Sequence, residues 1–372
     1  SLVGSEMCIR DSICISSWMR GWWWAWSGCP GIGSSRMAAL QAAALEHGVG
    51  LDDCWAWSRE RLAQVLSWPD PLLDKVERYR RLHGSSPQLK IPSNVLTPLD
   101  QIWPQGLNKL DRPPLVLHQQ GRADVLAWLG QRRAVAVVGT RAASDHGLRM
   151  AEHLGSVLAG AGWPVVSGLA EGIDAAAHRG CLAADGVPVA VLGTPLDRVY
   201  PRHHQALQEE VARNGLLLSE RQPGESVQPG HFAARNRLLV SLSCALVVVE
   251  CPDRSGALIS ARLAAEQQCP VWVVPGDAGR WSSRGSNRLL QNAAAPLLSP
   301  KELVEHLGPG PCHKANATAP ALVKALGAGA SIEQLQQTLK LPAGRLASDL
   351  LELELAGQVV CESGFLWKPC RP

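Results

Sequence analysis

The chain has 372 residues, enough for two or three domains, and its 36 Lys and Arg against 33 Asp and Glu leave a formal charge of +3, which excludes a globally basic, histone-like binder and makes any polyanion recognition local. Eleven cysteines, scattered without a Cys-x-x-Cys pair, speak for reduced thiols and against both a disulfide framework and a zinc site. No apolar run reaches the roughly 18 residues a membrane helix needs, because Arg20 interrupts Ile13 to Trp26, so a cytoplasmic protein with no metal, cofactor or membrane contact is expected.

Residues 1–17 read as a non-native extension: Ser1 to Ser12 lacks helical or strand periodicity and looks like translated sequencing-adapter material, which puts the native start near Trp18. From there Trp22, Trp23, Trp24 and Trp26 lead into Pro30-Gly31-Ile32-Gly33 and an alanine-rich helix from Ser34 to Glu46, giving a small helical domain over residues 18–95. Gly-Ile-Gly after a proline resembles a helix-hairpin-helix turn, whose amides can touch phosphate, but a structural role is the simpler reading. The tryptophans are expected in a core rather than as a stacking platform. Residues 80–114, rich in Pro, Ser and Leu, lead into the next domain.

Over residues 100–308 the apolar runs end on small or polar residues. Ala134-Val138 runs into Gly139-Thr140-Arg141, Val165-Val166 into Ser167-Gly168, Val189-Leu192 into Gly193-Thr194, Leu216-Leu218 into Ser219-Glu220, Ala245-Val249 into Glu250 and Val271-Val274 into Pro275-Gly276. In a doubly wound α/β sheet both faces are covered by helices, so strands read as continuous hydrophobic runs and ligands sit beyond their carboxyl ends. The pattern therefore predicts a Rossmann-like parallel sheet with its chemistry along one edge.

At that edge, Ser167 to Asp174 looks like a phosphate cradle opening a helix, since small residues admit a ligand to backbone amides and a helix N-terminus adds positive charge. A plainer alternative is that these glycines only make tight strand-to-helix turns. The Gly-x-Gly-x-x-Gly and Gly-Lys-Ser/Thr fingerprints are missing, which disfavours nicotinamide and P-loop chemistry. In His231 to Arg237, the guanidinium groups of Arg235 and Arg237 beside Asn236 suit phosphate oxygens, and Phe232 offers a face to an unpaired base. Arg280, Arg284 and Arg288 follow as an electrostatic arm with no acid among them.

Residues 309–320, with Gly308-Pro309-Gly310-Pro311 at their head and Cys312-His313 inside, read as a linker. Beyond it Leu322 to Leu326, Ser331 to Leu339 with a Ser331-x-x-Gln334 capping box, and Leu346 to Leu355 predict three helices. Val359-Val360, a turn at Ser363-Gly364 and Phe365 to Trp367 then predict a hairpin, and residues 321–372 as a whole resemble a winged helix. Its five cations are balanced by five acids, and Asp349, Glu352 and Glu354 on the third helix would repel a major groove, which favours a packing or protein-interaction role.

These motifs, with Ala190-Val191-Leu192-Gly193, Tyr200-Pro201, Ser255 to Arg262 and Val274-Pro275-Gly276, resemble in order those of the DNA-processing protein DprA (Smf) family over about residues 100 to 310. The resemblance implies an extended Rossmann-like domain that binds single-stranded DNA without catalysis, forms a homodimer and helps load the RecA recombinase in natural transformation. Carried over by position, it puts Gly139, Thr140, Arg141, Ser167, Gly168, Gly172, Gly193, Phe232, Arg235, Asn236, Arg237 and Arg284 on the DNA, with Arg141 and the Gly168–Gly172 loop on phosphates and Phe232 as the stacking ring. The chain departs from the family in Ala233, where a proline is usual, and in Gly230-His231, where some members carry a lysine. Two rival readings are a nucleotide-binding sensor using the same cradle and a phosphoribohydrolase-like enzyme using Asp174 and His178, four apart on one helix, as an acid–base pair. The loop Pro-Gly-Gly-x-Gly-Thr-x-x-Glu of such hydrolases is missing.

Overall fold

The computed structural model describes residues 18–372 except 86, 88, 89, 293, 313–318, 328, 356, 357, 363–365, 371 and 372. The proposed extension at 1–17 and the hairpin turn at Ser363-Gly364 with Phe365 lie outside the described residues. Among the described residues no helix is long and apolar enough to cross a membrane.

Helix α1 (18–27) presents the tryptophan run, and α2 (Ser34–Glu46), α3 (Leu51–Ala56), α4 (Arg59–Leu66) and α5 (Asp70–His83) close around it. Trp22, Trp23, Trp26, Trp55, Trp57 and Trp68 are buried in one cluster with Leu40, Leu62 and Val76, so these rings are core, as their number in a short segment predicts. Buried indoles need acceptors: Trp26 Nε1 donates to the Leu51 carbonyl at 2.9 Å, and Trp23 Nε1 to the Leu115 carbonyl at 2.7 Å. The second bond reaches out of the helical region. So does Arg20, which pairs with Asp100 at 2.8 Å and bonds the Val95 carbonyl at 3.0 Å. The described residues from 18 to 311 belong to one compact unit, with Val95 and Val116 inside the tryptophan cluster. In the Gly31-Ile32-Gly33 turn Ile32 is buried.

The sheet follows: β1 (Val95–Leu96), β2 (Leu117–Gly121), α6 (Val125–Gly130), β3 (Val135–Val138), α7 (Asp145–Gly160), β4 (Val165–Ser167), α8 (Ile173–Ala183), β5 (Pro188–Leu192), α9 (Gln205–Asn214), β6 (Leu216–Ser219), α10 (Pro229–Ser241), β7 (Ala245–Val248), α11 (Gly256–Glu266), β8 (Val271–Val273), α12 (Arg284–Gln291), β9 (Ala295–Pro296) and α13 (Pro300–Leu307). Nine strands lie in the order β1-β2-β6-β5-β4-β3-β7-β8-β9. From β6 to β9 every pairing is parallel, while β1 with β2 and β2 with β6 are antiparallel. All four residues of β3, β6 and β7 and all five of β5 are buried, the continuous burial expected where helices cover both faces. Val135 and Val137 pack with Leu154, Leu158, Ile173 and Val247 on one side, whereas Ala190, Leu192 and Leu217 meet Leu207 and Val211 of α9. The chain leaves the sheet tied down: Trp163 Nε1 donates to the Gly308 carbonyl and the Gly310 amide to the Ala161 carbonyl, both at 2.8 Å.

The second compact unit begins at Cys312. It comprises α14 (Ala319–Leu326), α15 (Ile332–Leu339), α16 (Ala343–Leu355) and the hairpin of β10 (Val359–Glu362) with β11 (Leu366–Pro369) around a core of Leu322, Leu335, Leu346, Leu350 and Trp367. The predicted capping box is present: Ser331 Oγ accepts from the Gln334 amide and Gln334 Oε1 from the Ser331 amide.

Candidate nucleic-acid interface

The strand order makes β3 the turning point: the chain runs outward through β4, β5 and β6, then returns to lay β7 on the other side of β3. Helices leave such a point in opposite directions and open a crevice at the carboxyl ends of the strands. A cleft of about 460 Å³ lies there, and Gly139, Thr140, Arg141, Phe232, Arg235 and Asn236 all line it.

Arg141 follows β3 directly and is exposed. Its guanidinium carbon stands 5.3 Å from the ring centre of Phe232 and 6.0 Å from that of Tyr200, within reach of cation–aromatic attraction. The two rings are 5.0 Å apart and tilted by 44°. Gly193, at the end of β5, seats Phe232: a Cβ there would come within 2.8 Å of the phenyl Cδ1. Glu171 lies 3.4 Å from His203, buried Asp174 accepts from the Gly168 amide at 3.1 Å, and among the described residues Arg141 makes no ion pair. A permanent charge is thus held against an aromatic pair, uncompensated, at the mouth of a concave site.

Beneath it lies a buried polar layer. Arg235 is 5% exposed; its Nη1 donates to the Val191 carbonyl and its Nε to Asn236 Oδ1 at 3.1 Å. Burial pulls Arg235 down to about 10, opposed by the Asp174 charge, so it stays cationic near neutrality. Burial raises the Asp174 carboxyl, offset by Arg235 and by amides of Ala170 and Gly168. Asn236 Nδ2 donates to the Gly256 carbonyl at 3.2 Å and so locks α10 to the start of α11.

This layer corrects the open phosphate cradle expected at Ser167 to Asp174. The Gly168 amide is bonded to Asp174 Oδ2 at 3.1 Å, and the Ile173 amide to the Thr140 carbonyl at 3.2 Å, so these donors turn into the protein. The Ser167 hydroxyl donates to the Val137 carbonyl at 2.6 Å. Gly172 has φ +74° and packs on the Thr140 and Arg141 carbonyls where no side chain fits; it shapes the loop under Arg141. The loop itself gives the cleft only Ala170 and Asp174. Arg237 is not brought to the cleft: it forms a two-point pair with Glu220 at 2.6 and 3.1 Å and bonds the Arg112 carbonyl. Arg284 is exposed at the start of α12 and does not line the cleft either.

Two lining residues, Arg254 and Trp281, were not singled out by sequence reasoning, and Tyr200, against Phe232, entered only as part of a motif. No periodic signal marks a lone aromatic within a run of arginines.

His178 sits one turn along α8 from Asp174 but is fully buried, does not line the cleft, and among the described residues neither ring nitrogen finds a hydrogen-bond partner. Burial, with the Arg235 and His204 charges, pushes its pKa down to about 3. A histidine whose folded pKa is depressed gives stability that is complete above its unfolded value near 6.5 and is lost as pH falls from there toward about 3, because the unfolded chain binds the extra proton. Wild type is therefore expected to lose about 1.4 kcal/mol per pH unit in that window relative to His178→Leu. Denaturant titrations of both chains at several pH values check it; a difference independent of pH would contradict a neutral buried imidazole.

A family model described as DNA recombination-mediator protein A matches residues 94–308, and a DprA winged helix domain model matches 291–364. A protein named Smf from Synechocystis is 36% identical over 296 residues, 78% of this chain and 73% of the relative. The structure of DNA processing protein A from Streptococcus pneumoniae is 30% identical, covers 75% of this chain and 94% of that one, and superposes with a TM-score of 0.63. That of its Helicobacter pylori counterpart, described for a single-stranded DNA binding mode, is 32% identical, covers 55% and 92%, and has a TM-score of 0.50.

Proposed function

The chain belongs to the DNA recombination-mediator protein A family, and on that premise we propose that it binds single-stranded DNA in the cleft above β3 and hands it to recombination without catalysing a reaction. The observation that carries the reading is Arg141, charged, unpaired and laid over Phe232 and Tyr200 at the mouth of the cleft. A guanidinium holds a phosphate while a neighbouring ring takes the face of a base, and every base has such a face, so the pairing suits a single strand of any sequence. Duplex bases are already stacked and offer nothing to Phe232. The H. pylori protein, described as binding single-stranded DNA, supports the substrate class.

The hydrolase alternative loses its acid–base pair, because a fully buried His178 that does not line the cleft cannot reach a substrate. A mononucleotide sensor would leave most of the cleft's cationic rim unused. Loading of RecA in natural transformation, homodimerisation and a cytoplasmic setting are part of the proposal on the strength of family membership. The winged helix, with five cations against five acids, is assigned a protein-binding or packing role.

The test is fluorescence anisotropy with a single-stranded oligonucleotide, the same sequence as blunt duplex, and a mononucleotide competitor. Single strand should bind tightest, with affinity falling by orders of magnitude between about 50 and 200 mM salt if six or more phosphates are engaged. Equal affinity for blunt duplex, or full competition by the mononucleotide with a flat salt response, would refute the reading.

A further inference from the structure

Trp281 stands on the short 3₁₀ turn Trp281–Ser283, after β8 and before α12, with 61% of its surface exposed. The turn beneath it is pinned. The Asn287 side chain clasps Gly276 by two hydrogen bonds of 3.0 Å, Ser282 Oγ donates to the buried Glu250 carboxylate, and Ser283 is buried. Among the described residues no other ring or guanidinium stacks on the indole. A large apolar ring is thus presented to water on a rigid support inside the cleft that Arg141 and Phe232 line. Beside it Arg254 is exposed, and the adjacent Asp253 is taken by Arg288 at 3.1 Å, so Arg254 keeps its charge uncompensated.

Phe232 packs against Gly193 at the end of β5, whereas the turn that carries Trp281 is tied through Ser282 to Glu250, just beyond β7. Between these strands lie β4 and β3, so their ends are three strand spacings apart, about 14 Å. At a stacked rise of about 3.4 Å per nucleotide that span takes about four nucleotides. Arg141 and Arg254 stand along the way.

Resting on the single-strand reading above, we infer that Trp281 and Arg254 form a second stacking station, and that a bound strand crosses the sheet's carboxyl edge from Phe232 to Trp281. Stacking on an aromatic side chain is a measurable part of such affinity, and a preformed ring costs little to order.

The experiment measures binding of oligothymidylates of about 3 to 15 nucleotides, bracketing the site size of single-strand binding modules, to wild type, Phe232→Ala, Trp281→Ala and Trp281→Phe. Trp281→Ala should bind the longer oligomers about five- to a hundredfold more weakly and the shortest within about twofold of wild type. Trp281→Phe should recover most of the loss, and melting temperatures should not move, because the ring is exposed. Trp281→Ala binding like wild type at every length, while Phe232→Ala is weakened, overturns the second station and leaves the single-strand reading standing. Wild type that binds no oligomer overturns both.

Discussion

Arg141→Ala is expected to weaken single-strand binding about ten- to a hundredfold while leaving the fold intact. A charge-assisted contact to a phosphate is worth on the order of 1.5 to 3 kcal/mol. Nothing inside the protein competes for it, since Glu171 and Asp174 are engaged elsewhere and the side chain is exposed. Lysine should restore only part of the loss: an ammonium carries the charge but cannot lie flat on Phe232 and Tyr200 or offer a planar fork. Anisotropy titrations beside thermal melts decide the matter. If Arg141 merely braced its loop, the alanine variant would melt lower and its affinity, corrected for folded fraction, would stay near wild type.

Arg235→Ala should do the reverse, costing on the order of 1 to 3 kcal/mol of stability, because it removes the positive charge that offsets the burial of Asp174. The Val191 carbonyl and Asn236 lose their donor as well. The damage should be smallest in acid: without Arg235 the Asp174 carboxyl is held still further above its unfolded value near 3.9, so the loss is relieved as pH falls toward that value and grows as pH rises above it. Urea unfolding at two pH values measures both effects. A cost below about 1 kcal/mol would show that the guanidinium is not sealed in.

The two arginines also mark where the sequence stops being informative. Arg235 and Arg237 look equivalent in the chain, but two residues on a helix are about 200° apart, so α10 sends one beneath the cleft and the other out to Glu220. Strands β3 to β8 were legible because a doubly covered sheet demands unbroken apolar runs. Strands β1, β2 and β9 were not: β1 and β9 are edge strands of two residues each, and in Leu117-His118-Gln119-Gln120-Gly121 only the first two residues are buried, so none carries such a run. The residue types at the strand ends pointed to an anionic ligand. Which way the amides of the Gly168 loop face depends on a buried aspartate six residues on, a fact of tertiary packing.

Glu250, at the end of β7, gives one of its carboxylate oxygens to the Ser144 amide and hydroxyl, each at 3.0 Å, and the other to Ser282 beside Trp281. One group thereby fastens the cap of α7 and the turn that carries the indole. Removing either serine changes what the same carboxylate can do for the other, so the energetic effects of the two losses will not sum. The cap of α7 and the turn that carries Trp281 are thermodynamically a single object, hinged on one buried side chain behind the cleft.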